Sequence, residues 1–213
     1  MPVADAIDDS AVVLVVDDDS GLRTALGDLL RASGFAAKLF ASATDLLAHS
    51  MPEGPHCLVL DVLLPGFGGL ELQDHLIEQG MGTPIVFITG HGDIPMSVRA
   101  MKAGAAEFLT KPFKDTELLE AIKRALARSA AQHKEDADLR LVRARYAALT
   151  PRQRQVMRLV TTGMLNKEIA AELGTTEIMI KVHRRNVMAK MGAKSLPALV
   201  RMADRLALDP PPH

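Results

Sequence analysis

The sequence predicts an α/β protein. A doubly wound (βα)5 parallel sheet is joined by a helical linker to an all-α module of four helices. Three observations carry this. Short, unbroken apolar runs alternate with helix-like segments through residue 128. Those runs end on polar residues, as buried strands do where they reach solvent. Beyond residue 146 the strand-like runs stop, and four short helix-like segments follow one another. Unbroken runs of four or five apolar residues fit strands covered on both faces.

The first strand is Val12-Val13-Leu14-Val15-Val16, closed by Asp17 and Asp18. A helix over Leu22–Ser33 follows and is stopped by Gly34, as C-terminal glycines stop helices. Ala43–His49 is the next helix. Cys57-Leu58-Val59-Leu60 is a strand closed by Asp61, followed by a helix over Gly69–Glu78. Ile85-Val86-Phe87-Ile88 is closed by Thr89, and the helix Pro95–Ala103 ends at Gly104. Phe108-Leu109 leads to Lys111-Pro112, and Thr116–Arg128 is the last helix of this half. Alternation of this kind implies a doubly wound parallel sheet. Residues 129–146 are polar and lack Gly and Pro, so they extend the fifth helix as a connector or form a dimerising stalk.

In the second half, Thr150-Pro151-Arg152-Gln153 places Thr at the N-cap, Pro at the first helical position and Gln at the capping-box position. The helix runs to about Thr161, with Gly163 breaking it. Asn166–Leu173 is a short helix stopped by Gly174. Thr175 or Thr176 caps a longer one to about Met191, ended by Gly192, and Leu196–Leu208 is the last. Four short helices with Gly174 in the tight turn match a helix-turn-helix module. The tail Asp209–His213 is expected to be disordered.

Composition narrows the function classes. At 213 residues the chain holds one or two domains. No apolar run approaches the length of a membrane span. The start is acidic (Asp5, Asp8, Asp9) and does not read as a secretory signal. The one cysteine, Cys57, cannot form an internal disulfide, which fits a cytoplasmic protein. Residues 1–128 hold 18 Asp and Glu against 10 Lys and Arg, whereas residues 129–213 hold 8 against 15. An acidic half joined to a basic half implies two tasks, with nucleic acid as the partner of the basic one.

Ligands bind doubly wound sheets beyond the carboxyl ends of the strands. Asp17, Asp18, Asp61, Thr89 and Lys111 therefore converge at one edge. Carboxylates suit Mg²⁺, which takes a few of them with water and phosphate oxygens. A carboxylate can also accept a phosphoryl group as nucleophile. The ion and Lys111 supply positive charge, and Thr89 a hydroxyl donor.

These pieces resemble the receiver domain of two-component response regulators, a flavodoxin-like fold. The matching stretches are Val15–Asp19, Leu60–Gly66, Ile88–Asp93 and Leu109–Phe113. The resemblance implies Asp61 as the phosphoacceptor, with Thr89 and Lys111 touching the phosphoryl group. It implies Mg²⁺ held by Asp18, Asp61 and the Leu63 backbone carbonyl, with Asp17 acting through water, and a cis Lys111–Pro112 bond. It implies a switch in which Thr89 moves inward and Phe108 turns into the space behind it. Met96, Val98, Met101 and Lys102 become candidates for a dimer face. Bulky Leu63, two residues past the acceptor, is expected to slow loss of the phosphoryl group. His91, two past Thr89, is given no catalytic role.

On the helix Thr176–Met191, Ile180, Val187 and Met191 fall at i, i+7 and i+11, with His183 between, as a core-facing stripe. Lys181, Arg184 and Arg185 lie on other faces, and Lys190 and Lys194 add charge near the end. Leu149–Leu206 resembles the LuxR-type output domain, above all that of FixJ-like regulators, through Leu165–Ala170, Lys181–Met191 and Ala193–Leu196. In that family Lys181, Val182 and Arg185 face base edges, and His183, Asn186 and Lys190 lie nearer the helix body or phosphates. The last helix, from Leu196, pairs two subunits on DNA. Ile178 and Met179 depart from the family, which commonly has Arg or Ser/Thr there beside the DNA backbone; packing is the expected reason, with apolar contact to a thymine methyl as the alternative.

The expectation is a cytoplasmic response regulator with a receiver domain over 1–128, a linker over 129–146 and a DNA-binding domain over 147–213. Its partners are a sensor histidine kinase, promoter DNA, a second copy when phosphorylated, and RNA polymerase, with no membrane. At rest the acidic half covers the basic module or holds it monomeric. The output is promoter activation rather than an enzymatic reaction. A phosphatase or phosphotransferase using an aspartyl nucleophile, and a DNA-binding protein with a static receiver, are the competing readings.

Overall fold

The structure is a computed structural model that describes residues 11–90 and 94–208. Asp5, Asp8, Asp9, His91 and the tail from Asp209 lie outside the described residues. The chain forms two compact units, one up to His133 and one from Lys134.

In the first unit the elements are β1 (Val12–Val16), α1 (Ser20–Ala32), β2 (Ala36–Phe40), α2 (Ala43–Leu47), β3 (His56–Asp61), α3 (Gly69–Glu78), β4 (Ile85–Thr89), α4 (Ile94–Lys102) and β5 (Glu107–Thr110). Then comes α5 (Asp115–Ala147), one continuous helix of 33 residues that includes the expected connector. The sheet is parallel throughout, in the order β2-β1-β3-β4-β5. Alternate strand residues feed two cores. Val13, Val15, Cys57, Val59, Val86 and Ile88 pack with α1 and α5. Leu14, Val16, Leu58, Leu60, Ile85 and Phe87 pack with α2, α3 and α4. Burial on both faces is why these strands read as unbroken apolar runs. Cys57 sits fully buried in the first core, where burial pushes its thiol up to about 12, so it stays protonated and inert near neutral pH.

The second strand has no apolar run. It is an edge strand that pairs only with β1, and its residues are half-buried or exposed. Its one-sided burial explains why it could be counted but not placed from sequence.

The chain goes from β1 to β2 on one side and crosses to β3 on the other, so the switch point lies between β1 and β3. Val16 pairs with Leu60, and Asp61 with Ile88. The ladder runs on past the strand ends: Asp17 N–H donates to Phe40 O (3.3 Å), Val62 N–H to Ile88 O (3.1 Å) and Lys111 N–H to Thr89 O (2.7 Å). Asp17, Asp61, Thr89 and Lys111 are thereby brought nearly level at one edge.

The second unit consists of the tail of α5, α6 (Pro151–Thr161), α7 (Asn166–Glu172), α8 (Glu177–Met191) and α9 (Leu196–Arg205). The Thr150–Gln153 capping box is reciprocal: Gln153 N–H donates to Thr150 Oγ1 (3.3 Å) and Thr150 N–H to Gln153 Oε1 (3.0 Å). Thr176 rather than Thr175 caps α8, accepting from Met179 N–H. Gly174, at φ 60°, makes the left-handed turn between α7 and α8 that a side chain would strain. Ile180, Val187 and Met191 are buried as expected and pack with Val156, Met157, Ile169 and Leu199.

Removing the cap by Thr150→Ala should lower stability of the second unit by about 1 kcal/mol. Truncating fully buried Met157 to Ala should cost about 2–5 kcal/mol. Urea unfolding followed by helical circular dichroism checks both, and the order of the two effects is the sensitive readout.

Candidate functional site

Two carboxylates and one ammonium form the centre of the site. Lys111 Nζ donates to Asp17 Oδ2 at 2.9 Å and to Asp61 Oδ2 at 2.7 Å. Asp17 is fully buried and Asp61 nearly so, while Lys111 is partly exposed. Asp18 is exposed at the mouth, and one carboxylate oxygen from each of Asp17, Asp18 and Asp61 lies within 4.8 Å of the others. Thr89 is fully buried at the end of β4. The Lys111–Pro112 peptide is cis.

The remaining carboxylate oxygens are held by the backbone. Asp61 Oδ1 accepts from Leu63 N–H (3.0 Å), and Asp17 Oδ1 from Asp19 N–H (2.9 Å). Asp19 caps α1 by accepting from Gly21 and Leu22 N–H, and those bonds hold its carboxyl below the usual range. Burial pushes the Asp17 carboxyl above the usual carboxylate range, and the Lys111 contacts only partly oppose it. Burial also works against the Lys111 ammonium, but its bonds to Asp61 and Asp17 outweigh that and hold its pKa up. The site as a whole holds three carboxylates and one ammonium. The surplus negative charge suits a hard divalent cation, and the three Asp oxygens fit Mg²⁺, which prefers carboxylates.

Two positioning residues escaped sequence reasoning. Arg23 Nη1 donates to the carbonyls of Asp17 (2.7 Å) and Asp18 (3.3 Å), clamping the backbone that carries both acids. A Cβ on Gly69 would lie 2.3 Å from Asp61 O and 2.9 Å from Val62 Cα, so only glycine lets α3 begin against the Asp61 strand end. The glycines following Pro65, at 66, 68 and 69, were the available signal. Leu63 is half-exposed beside the carboxylates. Phe108 is half-buried, with its ring 6.1 Å from that of Phe87. Among the dimer-face candidates, Val98, Met101 and Lys102 are exposed, whereas Met96 packs against the core.

The second unit gathers the DNA-contact candidates unevenly. Lys181, Val182 and Arg185 are exposed together on α8. Lys181 pairs with Glu177 at 2.9 Å, an exposed i,i+4 contact that contributes little. Arg184 is partly buried and donates to Asn166 Oδ1 (3.2 Å), fastening α8 to the start of α7. Lys190 lies across the helix from Lys181 and donates to Ala148 O (3.1 Å) and Gln153 Oε1 (3.0 Å). Lys190 is exposed but lies nine residues from Lys181, half a turn round the helix, so the structure places it on another face from Lys181 and Arg185. Arg145 and Arg152 likewise donate to Met191 O (3.0 Å) and Leu173 O (2.6 Å) at helix C-termini, where cations are favoured.

Residues 13–123 match the family described as response regulator receiver domain, and residues 147–203 that described as bacterial regulatory proteins, luxR family. The chain is 46% identical to Nodulation protein W of Bradyrhizobium diazoefficiens over 198 residues, 93% of this chain and 87% of that protein. It is 45% identical to the transcriptional regulatory protein FixJ of Rhizobium meliloti over 191 residues, 90% and 94% of the two chains. Among solved structures, that of the response regulator StyR matches with a TM-score of 0.84 and 46% identity over 92% of this chain and 99% of the other. Among the described residues no helix is long and apolar enough to cross a membrane.

The Asp17 geometry predicts a stability gain on neutralisation. Its carboxyl titrates higher folded than unfolded, so the folded state holds the proton more tightly and ionisation opposes folding. The penalty is absent below the unfolded value of about 3.9 and is complete above the raised folded value. Without metal, Asp17→Asn should therefore raise Tm at pH 7, and the gain should vanish as pH falls below the carboxylate range. Calorimetry across that range checks it; an unchanged or lowered Tm at pH 7 would contradict the assigned cause. Gly69→Ala should lower Tm and weaken Mg²⁺ binding, as measured by calorimetry and isothermal titration.

Proposed function

The chain belongs to the two-component response regulators that carry a LuxR-type DNA-binding domain, and given that membership we propose that phosphorylation of Asp61 controls its grip on promoter DNA. The observation that carries the reading is Lys111 Nζ set between Asp17 and Asp61 at the sheet's switch point. A static module would gain nothing from two desolvated acids there, since burying charge is costly.

The donor is a phosphohistidine of a sensor kinase. An Asp61 carboxylate oxygen attacks phosphorus, an O–P bond forms, and the N–P bond breaks with the imidazole as leaving group. Lys111 orients the acceptor before transfer, and donates to a phosphoryl oxygen afterwards. Asp17, Asp18, Asp61 and the Leu63 carbonyl would hold Mg²⁺, which when bound supplies positive charge against the phosphoryl oxygens. Thr89 then moves toward the phosphoryl group and Phe108 follows into the space it leaves. Phe108 is only half-buried beside Phe87, which is consistent with a ring that can turn.

In this reading residues 1–128 are the receiver, 129–146 the linker and 147–213 the DNA-binding domain. Val98, Met101 and Lys102 contribute to a dimer face in the phosphorylated state, and α9 pairs two copies on DNA. Lys181, Val182 and Arg185 enter the major groove, with Arg184 holding α8 at its angle. The dimer recruits RNA polymerase and activates transcription in the cytoplasm, and the chain is a regulator rather than an enzyme.

Acetyl phosphate with Mg²⁺ should add the mass of one phosphoryl group to wild type and none to Asp61→Asn. The phosphorylated chain alone should run as a dimer in sedimentation. A folded wild type that never gains this mass would refute the proposal. Leu63→Asn should lose the phosphoryl group several-fold faster than wild type, measured by phosphate release. A slower loss would remove Leu63 from any role in shielding the bond.

A further inference from the structure

We propose that Ile178, with Met179 beside it, extends the base-facing position of Val182 into an apolar ridge on α8 that reads thymine methyl groups in the operator. The inference rests on the second unit being a DNA-binding module and goes on to say which bases its helix prefers.

The α8 helix has one face in the core and one in solvent. Ile180, Val187 and Met191 are fully buried on the first. Ile178, Val182, Arg185 and Ala189 follow i, i+4, i+7 and i+11 along the second, with Lys181 on one side and Met179 and Asn186 on the other; all seven are exposed. Ile178 is 73% exposed, Val182 46% and Met179 44%. The packing expected for Ile178 and Met179 is therefore absent: the core takes Ile180 and leaves these two in solvent. Exposed large apolar side chains grouped on one face mark a contact surface more than scattered single ones do.

The charges around the ridge select its occupant. Lys181 and Arg185 flank it, and none of the seven exposed positions is a carboxylate. Glu177, the one acid of α8, is already paired with Lys181. A basic rim suits a polyanion. On duplex DNA the base edges in the major groove are hydrogen-bond donors and acceptors with one apolar exception, the thymine C5-methyl. Three apolar side chains set inside a basic helix face thus have a single complementary feature in that groove. The ridge also carries no cation of its own, so Ile178 adds no phosphate contact and no salt dependence.

The test uses the full chain treated with acetyl phosphate and Mg²⁺, and a duplex selected from a randomised pool. Thymines of the selected site are replaced one at a time by deoxyuridine, which keeps base pairing and removes only the methyl. Wild type should lose about fourfold in affinity at each ridge-contacted thymine, since burying one methylene-sized group contributes roughly 0.8 kcal/mol. Ile178→Ala should bind the thymine duplex more weakly and show no further loss with deoxyuridine at the position it reads. Ile178→Arg should lose thymine preference and steepen the salt dependence by about one phosphate contact. Ile178 is exposed, so both variants should melt with wild type, which circular dichroism checks.

Selected DNA without fixed thymines, or equal binding to thymine and deoxyuridine, overturns the proposal. So does Ile178→Ala retaining full discrimination. Tighter DNA binding by unphosphorylated Ile178→Ala, with thymine preference intact, would assign the ridge to a contact within the protein and also overturn it. Failure to select any duplex would instead refute DNA binding itself.

Discussion

The first unit is organised around one unfavourable arrangement, two nearly dry carboxylates held by a single ammonium. Parallel pairing produces it. Register makes the ends of β1 and β3 level, and the topology opens the crevice between them. Apolar strands on either side exclude water, which raises the cost of ionised Asp17 and strengthens each contact to Lys111. The sheet is tied down close to the acids by Arg23 on the Asp17 and Asp18 carbonyls and by Gly69 against Asp61 O. A site assembled in this way stores a charge imbalance that a cation and a phosphoryl group can change.

That imbalance can supply switching free energy. A switch needs two states differing by a few kcal/mol and an event that favours one of them. In the proposed function, esterifying Asp61 redirects Lys111 from a carboxylate to a phosphoryl oxygen and draws Thr89 after it. The half-buried Phe108 and the exposed α4 residues Val98 and Met101 lie on the elements that would respond.

Much of the fold was legible because the chemistry is local. The three central strands announced themselves as apolar runs since both faces are covered, and the edge strand β5 was found by Phe108-Leu109 ahead of Lys111-Pro112. The edge strand β2 did not, because half-exposure leaves no run to find. The acid, hydroxyl and amine residues were legible as strand-end substitutions of polar for apolar. Arg23 and Gly69 were not, because their roles lie in backbone contacts that no side-chain pattern records. In the second unit the buried stripe of α8 could be read by its period, but charge could not be read so simply. Arg145, Arg152 and Lys190 count toward the basic surplus, yet each is occupied by acceptors within the unit. Fewer cations face outward than composition suggests, and Lys181 and Arg185 stand out among those on α8 that do.

The central claim is that one esterified side chain in the first unit alters how the second meets DNA. The most direct measurement is the affinity of the full chain for one selected duplex, titrated at fixed salt before and after acetyl phosphate treatment, with the extent of phosphorylation confirmed by mass. The account predicts tightening on the order of tenfold or more for wild type, about 1.4 kcal/mol per tenfold, and none for Asp61→Asn. Equal affinity of the fully phosphorylated and untreated wild type would contradict it.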